Sequence, residues 1–162
     1  MFHLENSIFS LTTVVFDKLG GIKLKLVTES SQIDIFAGAY ALQRFDNGSK
    51  PNTIRVDQSS ILILYRFCEI QKINLIERVA NLNPLTIGEI EAFSSYCGFA
   101  QQTGEQVNPN WYGARMRGAK KFVDYLWLFY EGRCARKLEQ LKIAKRSYER
   151  MTAGFKLYMK AP

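Results

Sequence analysis

The segment Ala114-Arg115-Met116-Arg117-Gly118-Ala119-Lys120-Lys121 places four cations within seven positions and no acid among them. A guanidinium can bond bidentately to a guanine edge, whereas an ammonium more often holds a phosphate. Gly118 and Ala119 are small enough to let a helix approach either a second helix or a nucleic-acid backbone closely. The competing reading is a solvated helix face, in which Lys120 pairs with Asp124 four residues on. A second segment, Ser49-Lys50-Pro51-Asn52-Thr53-Ile54-Arg55, sets small polar side chains and two cations at a helix start. Unpaired amides and the helix dipole make such an end attractive to phosphate. The ordinary alternative there is an N-cap, which accounts for Asn52 or Thr53 but not for Lys50 and Arg55.

These two segments belong to a chain of 162 residues with 22 Lys and Arg against 15 Asp and Glu, a net charge of +7. The excess is not spread evenly. Residues 1–60 carry six cations and six anions, residues 61–100 three and four, and residues 101–162 thirteen and five. A cationic tail on a balanced domain is the electrostatic footprint of a polyanion partner. Arg146 and Arg150 extend this footprint into the last helix, beside Arg136 and Lys142.

Catalytic constellations are not visible. The single histidine, His3, stands at the N-terminal end and offers no triad. Gly20-Gly21 is a hairpin turn, not a phosphate-cradling loop. Glu89 and Glu91 leave one helix on different faces. Cys68, Cys97 and Cys134 are odd in number and widely spaced, so they predict reduced core thiols rather than disulfides or a zinc site. No metal or cofactor is implied. No apolar run is long enough to cross a bilayer, and the N-terminus has no secretory pattern, so a cytoplasmic location is expected. Trp111, Trp127 and Phe129 are expected in the core rather than as platforms for bases.

The elements that must position the cations follow from periodicity. Residues 8–28 predict a β-hairpin: a β-branched run ends at Phe16, and Ile22, Leu24 and Leu26 alternate with Lys23 and Lys25. Residues 33–45 predict a short helix with Ile33, Phe36, Ala37 and Tyr40 on one face. Ile54 to Lys72 is the most apolar helix, with the stripe Ile54, Ile61, Tyr65 and Cys68, and Pro51 suits its first turn or the residue before it. Leu75 to Ala80 adds a turn. Thr86-Ile87-Gly88-Glu89 is a capping box that opens a helix ending near Gly98, with Leu85 and Ile90 at staple spacing. Residues 101–110 predict a loop. A long helix over 111–131 carries Met116, Ala119, Val123, Leu126 and Tyr130 inward and Arg117, Lys120 and Lys121 outward. A last helix over 135–156 turns Leu138, Leu141, Ala144, Tyr148, Met151 and Phe155 to one side. The expected fold is mainly α, a bundle of about five helices with a small N-terminal hairpin.

The order of these pieces resembles the core-binding region of tyrosine recombinases, the phage-type integrases. Asn52-Thr53-Ile54-Arg55 opening a long helix is similar to that family's first core-binding helix, continued here by Leu62-Ile63-Leu64-Tyr65-Arg66-Phe67. Ile73-Asn74-Leu75-Ile76-Glu77-Arg78 looks like the family's Gly-Ile-Asp-Leu turn, with Lys72 where the family has Gly. The stretch Leu85 to Phe93 is similar to a Leu-Thr-x-x-Glu-Ile segment. Ala114 to Arg117, continuing through Lys121 to Leu128, resembles the last core-binding helix. The resemblance covers residues 33–131. It implies an N-terminal arm at 1–32, a helical core-binding domain at 33–131, and a basic helix at 132–162 leading toward a catalytic domain that this sequence does not contain. The family's His-x-x-Arg box and its nucleophilic tyrosine have no match here, so no cleavage is expected. Either a fragment or a natural truncation fits.

The resulting expectation is a duplex DNA-binding module of a site-specific recombinase that meets other recombinase protomers on DNA. Its DNA-facing residues are Lys50, Asn52, Thr53, Arg55, Arg115, Arg117, Lys120, Lys121, Arg146 and Arg150. Arg115 lies nearest the apolar edge. The alternative is a protein-interaction or accessory module of a mobile element that docks through its last amphipathic helix. Insertion of that helix into a membrane surface is disfavoured by its regular core stripe.

Overall fold

Backbone pairing begins with a hairpin in the computed structural model, which describes residues 7–99, 103–132 and 138–160. Strand β1 (Phe9–Phe16) runs antiparallel to β2 (Ile22–Glu29), from Phe9 opposite Glu29 to Phe16 opposite Ile22. A 3-10 turn at Asp17–Leu19 and two residues with positive φ, Gly20 (+77°) and Gly21 (+75°), reverse the chain. Only glycine takes those angles without strain. A two-residue strand β3 (Gln32–Ile33) adds to the edge of β2.

Six helices follow among the described residues: α1 (Ile35–Asp46), α2 (Pro51–Gln71), α3 (Leu75–Ala80), α4 (Ile87–Cys97), α5 (Pro109–Glu131) and α6 (Leu138–Tyr158). The fold is therefore a mainly helical bundle with a small N-terminal sheet, as the periodicity predicts. Boundaries differ for local reasons. Ile33 is in β3 and exposed, because Asp34 caps α1 by accepting the Ala37 N–H at 2.9 Å. Pro51 and Pro109 both sit at the first helical position, where a missing N–H costs nothing, so α2 and α5 start earlier than their apolar stripes. Leu138 stands exposed rather than in the stripe of α6. The predicted start of that helix at Ala135 lies outside the described residues.

Helices α2 and α5 form the centre. Ile54, Ile61, Leu64 and Phe67 of α2 and Met116, Phe122, Val123 and Leu126 of α5 are all fully buried. They cross closely at Gly118, where a Cβ atom would stand 2.4 Å from the Ser60 side chain. Ser60 Oγ donates to the Ala114 carbonyl at 3.3 Å, and further along Tyr65 meets Phe122 edge to face. Contacts thus advance in the same order along both helices, so α2 and α5 run in the same sense and start at the same end of the bundle. Of the two partners open to Gly118, the helix is the one it meets. Helix α1 runs the opposite way, with Phe36 against Tyr130 and Tyr40 against Phe122.

Buried polar groups hold the layers in register. Gln58, fully buried, accepts the Val27 N–H and donates to the Ala37 carbonyl, both at 3.0 Å, and so ties β2 to α1 through α2. Asp57 receives Arg44 Nε at 2.8 Å. Such groups are tolerated in a core only when their bonds are made. The hairpin is packed into the bundle: Val27 joins the main core, while Leu24 and Leu26 make a satellite core with Ala41 and Ile54. The capping box forms as spaced, Thr86 Oγ1 accepting the Glu89 N–H and Glu89 Oε1 accepting the Thr86 N–H. Helix α6 closes the far side. Its Gly154 nestles on Ile87 and Ile90, and Tyr148 stacks on Trp127 at 4.8 Å.

Candidate nucleic-acid interface

The four cations of 114–121 do not share one fate. Arg115 turns inward, where Nη1 donates to the Cys97 carbonyl at 3.0 Å and reaches Phe99 O at 3.4 Å. It thereby closes the C-terminal end of α4, whose last carbonyls lack helical partners. Burial pulls its guanidinium below the ordinary arginine value. Lys120 is also consumed: Nζ bonds Asp124 Oδ2 at 2.7 Å, the pairing foreseen as the competing reading, while Tyr148 OH donates to Asp124 Oδ1 at 2.7 Å. Two of the predicted DNA contacts, Arg115 and Lys120, therefore serve the joints of α5 with α4 and with α6. Arg117 and Lys121 remain exposed and form no ion pair among the described residues.

Their exposure follows from the position of α5. It is packed on nearly all sides, and a narrow stripe of Asn110, Arg117, Lys121 and Leu128 faces outward at helical spacing. Arg117 lies back along the helix: a Cβ on Gly113 would stand 2.9 Å from its Nη1. The guanidinium is thus carried toward the N-terminal end of α5.

The first turn of α2 is at that same end. Lys50 is the N-cap residue, and no side chain caps the helix. Asn52 and Thr53 are inside the helix and exposed, so the N-cap role that they were alternatively expected to fill belongs to Lys50. Asn52 Oδ1 accepts Arg55 Nε at 3.2 Å and Nη2 at 3.1 Å, which props the guanidinium over the turn while leaving it exposed. No acid occurs from Ser49 to Val56 or from Asn108 to Lys121. The nearest in sequence are Asp46, Asp57, Glu105 and Asp124, of which Asp57 is buried against Arg44 and Asp124 is bonded to Lys120. Lys50 and Arg55 thus stand exposed in the first turns of α2, and Arg117 and Lys121 stand exposed on the outward stripe of α5.

Arg146 and Arg150 stand elsewhere, on the outer face of α6 with Lys142, Lys145 and Lys156, all exposed, and Lys160 follows just beyond the helix. Glu139 and Glu149 share that face, as do the exposed Leu138, Ile143 and Leu157. The predicted Arg136 lies outside the described residues.

Sequence reasoning missed three features. Trp111 is not in the core: it is 64% exposed, in the first turn of α5. Trp127 is buried as expected, and Phe129 is half-buried against Phe36 and Tyr130. Arg78 forks onto Glu89 with bonds of 2.9 and 2.8 Å and also donates to the Asn83 and Pro84 carbonyls, so the capping carboxylate pins α3 to α4. Burial alone would raise the Glu89 pKa; its bonds to Arg78 and Thr86 outweigh that and lower it. Lys72, which ends α2, takes the left-handed conformation with φ of +57°.

The hydroxyls and thiols of the interior are held in structural roles. Burial, with the nearby Asp57 charge, pushes the Tyr40 phenol up to about 12, and burial together with the bond to Asp124 does the same for Tyr148. Burial pushes the Cys68 thiol up to about 12 and raises Cys97 as well. Cys134 lies outside the described residues. Among the described residues, no cluster of His, Cys, Asp or Glu has the geometry of a metal site. A cleft of about 550 Å³ opens between α4 and the end of α6, lined by Phe99, Val107, Tyr112 and Leu157. Among the described residues, no helix is long and apolar enough to cross a membrane. Comparison with protein-family models, with curated proteins and with solved structures found no match.

Proposed function

We propose that this chain is a duplex DNA-binding module of the kind tyrosine recombinases use to position a recombination site, and that it does not cut DNA itself. The observation that carries the reading is the exposure of Lys50 and Arg55 in the first turns of α2 and of Arg117 and Lys121 on the outward stripe of α5, within segments that contain no acid. Uncapped amides at the first turn of α2 add partial positive charge there. The resemblance to the core-binding region gains one supporting detail. Lys72 occupies the position where the family has Gly, and it adopts the backbone conformation that Gly takes without strain. In this reading the chemistry of strand exchange comes from a catalytic domain acting with this one, other protomers bind alongside, and the protein works in the cytoplasm.

The test is a mobility-shift titration on duplex DNA at several salt concentrations. With about four or five phosphate contacts, log K should fall against log salt with a slope near −4. No binding at low salt by demonstrably folded protein would defeat the proposal.

A second reading rests on α6. Its outer face mixes cations with Leu138, Ile143 and Leu157, each about two-thirds exposed at 67%, 64% and 69%. That mixture suits a protein partner, as in an accessory module of a mobile element. Loss of DNA binding on neutralising Lys145, Arg146 and Arg150, but not Arg117 and Lys121, would favour α6 as the working surface.

A further inference from the structure

The two edges of the N-terminal sheet are finished unequally. The Ser30 N–H donates to the Ile8 carbonyl at 2.8 Å, so in this register the even-numbered residues of β1 turn their N–H and C=O groups toward β2. Phe9, Leu11, Thr13 and Val15 turn theirs to the outer edge. On the β2 side, the outward N–H of Val27 goes to Gln58 Oε1 and its carbonyl to the Asp34 N–H, both at 3.0 Å, and β3 pairs with Glu29. Where that edge continues it carries Lys23 and Lys25, charges that discourage a further strand. On the β1 side, Phe9 is closed. Its N–H donates to Ser7 Oγ at 3.1 Å, and its carbonyl accepts Arg66 Nη2 at 3.0 Å. Leu11, Thr13 and Val15 have no edge partner among the described residues.

This open stretch lacks the usual protections of an edge strand. Residues 7–16 contain no charge, proline or glycine, and the pairing with β2 runs from Phe9 to Phe16 without a bulge. Thr13 is exposed, and Val15 is 51% exposed. Donors and acceptors repeating at strand spacing are complementary to another extended strand.

The stretch is also complementary to itself. A second copy turned about a two-fold axis at Thr13 sets Thr13 against Thr13, and Leu11 of each copy against Val15 of the other. Each of these pairs exchanges two backbone hydrogen bonds, and the exposed valine is covered by the opposing leucine. Other registers of the same parity leave an open residue unpaired or run into Phe9, which Arg66 closes. The ends of the strands match as well. Asp17 and Lys18 follow β1 and come opposite Phe9 and Ile8 of the second copy in this register. Arg66 is bonded to Phe9, and Glu69 accepts the Ile8 N–H at 3.4 Å. No acid pairs with Arg66 among the described residues. Asp17 therefore approaches Arg66, and Lys18 approaches Glu69, opposite charges in both cases.

We infer that β1 is a self-pairing edge, through which two copies of this chain join antiparallel about Thr13 and continue the sheet across the dimer. Roughly five residues a side take part, against about 20 to 30 in a standard interface, so the dimer is weak and depends on concentration. The inference goes beyond the DNA-binding reading and needs no DNA.

The test is sedimentation of the full chain without DNA, from micromolar to millimolar concentration, which should show a monomer–dimer equilibrium. Thr13→Lys and Thr13→Glu each set like charges face to face across the two-fold axis. Each should lose the dimer with unchanged melting, because Thr13 is exposed, and mixing the two should restore it. In a Cys134→Ser background, Thr13→Cys should form a disulfide-linked dimer on mild oxidation. Its paired Cα atoms, about 5.5 Å apart, lie within disulfide reach. Ser10→Cys, set opposite Phe16 by this register, should not link. A parent that stays monomeric throughout, while Thr13→Cys links no faster than Ser10→Cys, overturns the inference. So does a dimer that survives in both Thr13→Lys and Thr13→Glu, which would move the interface to another surface such as the outer face of α6. Assembly that grows past the dimer would also overturn it. Each of these results leaves the DNA-binding reading standing.

Discussion

Helices α5 and α6 carry similar cationic stretches, and the fold treats them differently. Helix α5 is surrounded, so each cation must either find an internal partner or lie on the one outward stripe. Arg115 and Lys120 find partners, and Arg117 and Lys121 reach the stripe. Helix α6 is packed on one side only. Lys142, Lys145, Arg146, Arg150 and Lys156 all remain exposed, but they share the surface with Glu139, Glu149 and three large apolar side chains. The number of cations in a segment therefore says little about the charge available to a partner. How many sides of the helix are covered decides it. The α5 stripe offers few cations, and the one acid beside them, Asp124, is already bonded to Lys120 and Tyr148. The α6 face offers more, diluted and mixed with apolar groups.

The largest expected effect tests the seam that separates the two regions. Trp127 stacks on Tyr148, and Asp124 joins Lys120 to Tyr148. Trp127→Ala should cost about 3 to 5 kcal/mol, the range for large aromatic truncations in a core. Thermal or denaturant unfolding measures it. A loss below about 1 kcal/mol would mean that α6 is not held on α5 as described.

The next pair of variants separates consumed cations from available ones. Arg115→Met leaves the Cys97 carbonyl without its donor inside the structure. It should destabilise by about 1.5 to 3 kcal/mol, as expected for a hydrogen bond to a charged group, and leave the DNA affinity of the folded fraction unchanged. Arg117→Gln with Lys121→Gln should do the reverse. Melting should stay the same, affinity should fall roughly tenfold, and the salt slope should flatten by about two. Affinity at two salt concentrations, beside a melting curve for each protein, gives both readouts. Should Arg115→Met weaken DNA binding at constant stability, the division drawn here between the two kinds of cation would be wrong.

The same division explains what could be read from residues alone. The capping box at Thr86 was legible because both of its bonds are local, three residues apart, and its geometry is fixed by the helix itself. The helical stripes were legible because burial follows periodicity. Arg115 was ambiguous because its acceptors lie 16 and 18 residues away, on a helix end whose approach depends on the tertiary fold. Gln58 gives no local sign that it will bridge β2 and α1. Trp111 misled in the other direction: its side of α5 is a packing side, but α2 and α5 no longer cover it beyond Ala114. Aromatic residues are counted as core until the crossing point of two helices is known.

A smaller effect concerns pH and the joint between α3 and α4. Arg78 and Thr86 hold Glu89 in its charged form and lower its pKa despite partial burial. In the unfolded chain a glutamate titrates near about 4.3. The folded state therefore binds this proton less readily. The stabilisation is complete above the unfolded value and is lost as the pH falls through the lower folded value. Glu89→Gln should be less stable than the parent at neutral pH, and the difference should narrow below about pH 4.3. Unfolding curves of the two proteins across that range provide the check. A gap that stays constant with pH would assign the role of Glu89 to hydrogen bonding alone.

The smallest expected effect sits at Lys72, between the two segments whose order resembles the recombinase core-binding region. With φ of +57°, its Cβ crowds the following carbonyl, a strain of roughly 1 to 2 kcal/mol for an ordinary residue. Glycine carries no such strain but loses more backbone freedom on folding, which returns part of the gain. Lys72→Gly should therefore stabilise the protein by about 0.5 to 1 kcal/mol. The side chain is exposed and its N–H bonds are made by the backbone to Glu69 and Cys68, so no side-chain contact offsets this. Lys72 is also away from both helix starts, and the substitution should leave DNA affinity unchanged at constant salt. A rise in the melting temperature without a change in affinity would show that the turn after α2 favours glycine on backbone grounds, as the resemblance implies. A fall would mean that the left-handed turn is held by interactions of the lysine itself, and the likeness of this turn to the family's motif would lose its physical basis.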